Sequence, residues 1–527
     1  MENRKAEFLK TICQIYMVAI LAVLPLYDIP GNGYYKLGDS KYYLFRNISL
    51  ICLGICCIVE VIHAIGTRFA GNKADLRKTF EHWRRQSVTA AVCTYGICAL
   101  ISAACSPYGS TAWLGEREWY LGAVTICLMV GGFLLTANYG GQCRGAVLSG
   151  EAAFVVVTLL GLLQKLGFDP LGMLHGYVVG DWEYTHMLST MGNNNWLSGY
   201  YSVMFPFSLA LFYQAVIERK RYEKLLYGMC NVLAVMLLLL QGSDGGVLVA
   251  AMALGVCFFL TQEQGECWEA FLLLLAVAAV GMQIWGKQMK TLGTYDILLQ
   301  DGIAKKMGAW RGWLPTAVAL LLFCGIHHRL SGEKKRILRK MTVYGSLSIV
   351  AIALMWYVYH VSGTEFAEWG NRRGMLWQMA WRGFREGNMR QKLLGAGPDC
   401  FAKYLGEVLP GGTVLFDKGY FAGSIFTNAH NEWLTTLVNM GIVGTIAYAA
   451  VFVSALRKYK ENFLAALVLF TYGVYSMISF QQVLNAPFLF LMLGVCEAGS
   501  RAANKTDRSA QISDRPEKES SRGEKEQ

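Results

Sequence analysis

The stretch Asn428-Ala429-His430-Asn431-Glu432-Trp433-Leu434 places an imidazole, two carboxamides and a carboxylate at the entrance of an apolar segment carrying Gly441 and Gly444. An imidazole near its ordinary pKa of about 6.5 can take a proton from a hydroxyl at neutral pH, so His430 is a candidate general base. Upstream, Arg372, Arg373 and Arg382 fall in a segment whose apolar residues Leu376, Trp377, Ala380, Trp381 and Phe384 recur at helical spacing. Arginine forks hold phosphate oxygens through paired N–H bonds that lysine makes less well, so these are candidate anion-binding groups, with Arg373 first. Glu432 and Asp399 are lesser candidates for the base. A third polar cluster, Gly192-Asn193-Asn194-Asn195-Trp196, opens an apolar run containing Pro206. Each group also has an ordinary structural reading: a histidine at a helix start bonds a carbonyl, and Asn428 and Asn431 are of the helix-capping type.

These few polar groups stand out because the rest of the chain is hydrocarbon. Of 527 residues, 54% are hydrophobic and 16% charged, and mean hydropathy is +0.34, too apolar for a soluble protein of this length. Apolar runs long enough to cross about 30 Å of hydrocarbon recur from Thr11 to Leu493, and none alternates as a barrel strand must. The expected fold is therefore all-α, a polytopic transmembrane bundle of about 12–14 spans with one large extracytoplasmic loop near the C-terminus. The expected divisions are N-terminal helices over 1–185, central helices over 186–360, the large loop over 361–430 and C-terminal helices over 431–500. The charged tail over 501–527 has too few apolar residues to pack and is expected to be disordered.

Lysine and arginine counts set the orientation. The 66–86 loop holds Arg68, Lys73, Arg77, Lys78, Arg84 and Arg85, and the 327–341 loop holds another six cations, so both are expected to be cytoplasmic, with both chain termini. Parity then places 106–119, 167–196, the turn at 242–246 and the large loop on the outer face. The net charge of +11 is distributed over separate turns and forms no continuous face for a nucleic-acid backbone. Most of the fifteen cysteines fall inside the spans and read as small packing residues. No Cys-x-x-Cys or His-Glu-x-x-His pair offers a metal site, no glycine-rich nucleotide loop precedes a helix, and no cofactor is expected.

In this order and at these membrane positions, three segments resemble the O-antigen ligase and O-antigen polymerase superfamily of bacterial envelope glycan enzymes. Gly192-Asn193-Asn194-Asn195 is similar to that family's Gly-Asn-x-Asn entry to a middle helix. Arg373 and Trp377, followed by Gly395-Ala396-Gly397-Pro398-Asp399-Cys400-Phe401, resemble its Arg-x-x-x-Trp and Gly-x-Gly-Pro-x-x-Phe patterns, and His430-Asn431 with Leu434 resembles its His-Asn-x-x-Leu signature. The resemblance covers about residues 185–450. It implies a membrane enzyme of the bacterial cytoplasmic membrane that moves a glycan from an undecaprenyl-diphosphate-linked donor to a glycan, lipid or protein acceptor hydroxyl. It also implies catalytic roles for His430 and Arg373 and substrate contacts from Arg372, Arg382, Asn431, Asn193 and Asn195, with arginines in place of a metal ion. The signature near the C-terminus resembles the ligase branch more closely than the polymerase branch. One departure is plain: many members carry an arginine in the turn where this chain has Gly242-Ser243-Asp244-Gly245-Gly246. A transporter or flippase is the competing class, but it would show broken half-helices and an internal repeat, and only Pro25 and Pro206 interrupt the runs.

Overall fold

The computed structural model describes residues 2–29, 31–69, 87–141, 143–299, 303–361, 366–409 and 426–513. Long apolar runs in a chain with no surface to spare for strands fold as helices, since a helix satisfies every backbone N–H and C=O within its own segment. Sixteen elements matter here: α1 (Glu2–Val18), α2 (Leu37–Phe69), α3 (Ser87–Ala104), α4 (Ala123–Tyr139), α5 (Arg144–Lys165), α6 (Asn194–Ile217), α7 (Arg221–Leu240) and α8 (Asp244–Leu260). They continue with α9 (Gly265–Thr291), α10 (Trp313–Arg329), α11 (Gly332–Val361), α12 (Trp369–Glu386), α13 (Phe401–Val408), α14 (Glu432–Lys458), α15 (Phe463–Tyr475) and α16 (Ala486–Ser513). Among the described residues the only strands are a two-residue antiparallel pair, Met187–Leu188 with Gly192–Asn193, at the entry to α6.

Among the described residues ten helices are long and apolar enough to cross a membrane, and Ala123–Tyr139 and Phe463–Tyr475 are shorter apolar helices of the same bundle. The chain is thus an all-α polytopic membrane protein. Helix α6 is the most enclosed, burying Tyr200, Tyr201, Phe205 and Pro206 and touching α7, α8, α9, α15 and α16. Around it, α3 packs along α14 and α4 along α16. Helices α10 and α11 stand at the periphery with Leu322, Ile352, Met355 and Trp356 all more than half exposed, surface that only lipid would cover without penalty. Where a structureless tail was expected from 501, helix α16 instead runs on to Ser513, because Ala502, Ala503 and their neighbours extend an already nucleated helix at little cost. Residues 514–527 lie outside the described residues.

Two interruptions shape the bundle. Lys41, fully buried, donates to the carbonyls of Leu24 and Pro25 at 2.9 Å each, and Thr190 donates to Pro25 at 2.8 Å. The carbonyls left free where the chain turns out of its first helix are thereby satisfied inside the protein. The second break is Gly441, which sits inside α14 at φ 66° and ψ −170°. It divides α14 into a short N-terminal half and a long C-terminal half, a discontinuity invisible in the apolar pattern.

Candidate active site

The break at Gly441 frees the carbonyls of Val438 and Asn439, and the Gly395-Ala396-Gly397-Pro398 turn supplies their donors. Ala396 N–H bonds Val438 at 3.0 Å and Gly397 N–H bonds Asn439 at 2.8 Å, while Ser102 Oγ also donates to Asn439 at 3.1 Å. Only glycine permits so close an approach: a Cβ on Gly441 would lie 2.4 Å from the Leu393 backbone, and one on Gly395 would lie 2.3 Å from Asn439. The turn therefore docks α12 and α13 onto the N-terminal half of α14, whose first turn follows His430. Buried Met379 and Ala380 of α12 and Phe401, Tyr404 and Leu405 of α13 form the small core beneath.

Asp399 completes this frame. Its carboxylate, almost fully buried, accepts from the N–H groups of Glu116 at 2.7 Å and Leu121 at 2.9 Å, pinning the 115–121 loop against the turn. Burial pushes its carboxyl up to about 7, and the two N–H donors oppose that rise. A carboxylate so held is a structural clamp. Glu432 is also enclosed, accepting from Tyr448 at 2.7 Å and Tyr472 at 3.0 Å. Both acids line a cavity of about 40 Å³ with Asn428, Phe480 and Gln481, room enough for water.

At the same end of the bundle the three polar segments converge. Asn193 caps α6 by accepting from Asn195 N–H at 2.8 Å, and Ser243 caps α8. Ser243 Oγ donates to Asn195 Oδ1 at 2.6 Å, and Tyr475 Oη of α15 donates to the Asn195 carbonyl at 2.7 Å, so Asn195 ties α6, α8 and α15 together. Arg373 reaches this knot from α12. Burial draws its guanidinium below its ordinary pKa, and the nearby Asp244 carboxylate and Tyr475 hydroxyl act on it as well. Among the described residues it has no hydrogen-bond or ion-pair partner, which leaves its N–H donors unsatisfied by protein.

His430 faces the same guanidinium. Its ring is half-buried, stands edge-on to Phe480 at 5.0 Å, and Phe480 in turn meets Trp119 edge-on at 4.9 Å. Burial first, and Arg373 second, push the imidazole down to about 3, so it is neutral at physiological pH. A neutral imidazole is the form that can accept a proton, but its pKa lies below the ordinary 6.5 that the sequence alone suggests. Asn428 Oδ1 accepts from His430 N–H at 2.9 Å and helps hold the residue at φ 47°, a left-handed conformation that histidine adopts more readily than most side chains.

The other expected contacts fare differently. Asn431 uses both ends of its carboxamide, accepting from Leu434 N–H at 3.0 Å and donating to Met477 at 2.9 Å, so it is a cap and not an open contact. Asn193 is likewise a cap. Arg382 lies nine residues from Arg373, on the opposite side of α12, where it pairs with Glu386 at 2.7 Å. Arg372, at φ 65°, is half-buried beside the site, but the charge acting on His430 is that of Arg373. The sequence marked Asp244 only as a departure from an arginine. Ser243, Tyr475, Phe480 and Trp119 carried no motif and became visible only through their contacts. The segment Asp417 to Tyr420 of the large loop lies outside the described residues. Among the described residues no three His, Cys, Asp or Glu side chains gather as metal ligands.

Compared with known proteins, the chain matches no family model and no curated protein.

Proposed function

We propose that the site around Arg373 and His430 transfers a glycan from a polyprenyl-diphosphate-linked donor to an acceptor hydroxyl on the outer face of the cytoplasmic membrane, as a glycan ligase-like enzyme. The observation that carries the reading is Arg373: a guanidinium largely withdrawn from solvent, with no hydrogen-bond or ion-pair partner among the described residues, and close enough to His430 for its charge to act on the imidazole. A diphosphate supplies the anion such a group lacks, and its polyprenyl tail can remain in lipid while the sugar enters between α6, α12 and α14.

In this reaction the acceptor oxygen forms a bond to the donor C1, the C1–O bond to the diphosphate breaks with its electron pair leaving on the phosphate oxygen, and the hydroxyl proton passes to a base. Arg373 holds the leaving diphosphate. His430, held neutral by burial and by the Arg373 charge, accepts the hydroxyl proton, and an anion seated on Arg373 raises its pKa by cancelling the guanidinium charge. Asp244 reduces the positive field of Arg373, so the donor is held by one fork and not by a cluster. Phe480, edge-on to His430 and to Trp119, gives the imidazole an apolar neighbour.

The test is a purified, reconstituted protein supplied with undecaprenyl-diphosphate-linked glycan and separate acceptors. Transfer of one glycan block to a distinct lipid or protein acceptor supports the ligase reading. Growth of the donor-linked chain itself assigns the polymerase reaction, and movement of donor across the bilayer without a new glycosidic bond assigns a flippase. Excess chelator in the same assay tests whether arginine serves where a divalent ion otherwise would.

A further inference from the structure

At the end of the bundle opposite His430, α7, α9 and α10 part to form a groove of about 1270 Å³, larger than the range of about 300–1,000 Å³ that suits compact ligands. Its walls are side chains such as Met229, Leu273 and Val277, each about half exposed and none satisfied by a neighbouring helix. Its mouth carries Arg221, Lys224 and Arg329. The acids there already have cations of their own: Glu266 pairs with Arg219 at 3.3 Å, and Glu269 is held by Lys335 at 2.7 Å and His327 at 2.8 Å. Among the described residues Arg221, Lys224 and Arg329 have no such partner.

A groove apolar along its length and cationic at one end is the negative image of an amphiphile with an anionic head. We propose that it holds an anionic glycerophospholipid of the adjacent leaflet, its phosphate on Arg221, Lys224 and Arg329 and its acyl chains along Met229, Leu273 and Val277. A second apolar helix would cover the walls but would leave three cations without an anion. Guanidinium forks match phosphate oxygens, and basic pockets between spanning helices are the recognised sites for acidic headgroups. The proposal rests on the membrane-spanning reading of the bundle but not on the glycan chemistry at its other end. The bound lipid joins α10, which otherwise packs mainly on α9, to the helices around α6.

The experiment is lipid retention by the full-length protein, in discs of equal phosphatidylglycerol and phosphatidylcholine, extracted in mild detergent and weighed by native mass spectrometry. Phosphatidylglycerol should be enriched at least about tenfold over the bulk ratio. The variant R221E/K224E/R329E, all at exposed positions, should return to the bulk ratio with unchanged elution and helicity. Val277→Trp, which fills the groove without altering charge, should also lose the lipid. A bulk ratio in the unaltered protein, or enrichment that survives the charge reversal, overturns the site. Displacement by an equal amount of undecaprenyl phosphate overturns the phospholipid assignment in favour of a polyprenyl one.

Discussion

Burial first, and then the charge of the nearby Arg373 guanidinium, hold the His430 imidazole well below its ordinary pKa. The two candidate groups are therefore coupled: whatever neutralises Arg373 makes His430 more basic, and protonating His430 favours an anion on Arg373.

The coupling has a direct readout. In free protein the His430 ring should titrate far below 6.5, near 3, and added inorganic pyrophosphate should raise that value by imidazole NMR. A folded pKa below the unfolded one means that the unfolded chain binds more protons between about pH 6.5 and 3, so this group costs stability as pH falls through that window. Replacing it in His430→Gln should make acid unfolding shallower there. A ring that titrates at 6.5 with or without pyrophosphate would remove the coupling.

Asp244 sits where it weakens the field of Arg373. Asp244→Asn should tighten pyrophosphate binding roughly two- to fivefold, the effect of about 0.5–1 kcal/mol for an exposed charge, and leave kcat nearly unchanged. A collapse of kcat with unaltered donor binding would make Asp244 the base instead.

For Asp399 the structure requires an acceptor, not a charge. Asp399→Asn keeps an oxygen for Glu116 and Leu121 and should preserve both fold and transfer, whereas Asp399→Ala should cost about 2–4 kcal/mol by leaving two N–H groups unpaired. An asparagine variant of full stability without activity would assign Asp399 to the chemistry.

Gly441→Ala should lower thermal stability by more than the roughly 1–3 kcal/mol expected of a left-handed non-glycine residue, because its Cβ also meets the Leu393 backbone. Full stability in thermal unfolding would mean that the break in α14 is not the joint described.

Most of the bundle was readable in advance because spanning helices are specified by apolar length alone, and α12 was readable from the spacing of Leu376, Trp377 and Ala380. The break at Gly441 was not readable: a glycine in an apolar run looks the same whether it packs two helices together or takes a positive φ, and the deciding partner, Gly395, is 46 residues away in the numbering. Arg382 misled because charge type ignores helical phase; half a turn separates its direction from that of Arg373. Asn193 and Asn431 misled for a different reason, since a carboxamide before a helix has the same composition whether it caps or binds. Asp244 could be seen as an exception, but its proximity to Arg373 is a property of the assembled α8 and α12.

The most direct measurement compares the unaltered protein with Arg373→Ala and Arg373→Lys in purified transfer from undecaprenyl-diphosphate-linked glycan, alongside thermal unfolding. The account predicts that alanine lowers kcat/KM about 10²–10³-fold at unchanged stability, the loss typical of one group that stabilises a developing anion, and that lysine recovers only part of it. Full transfer by a folded Arg373→Ala variant would contradict it.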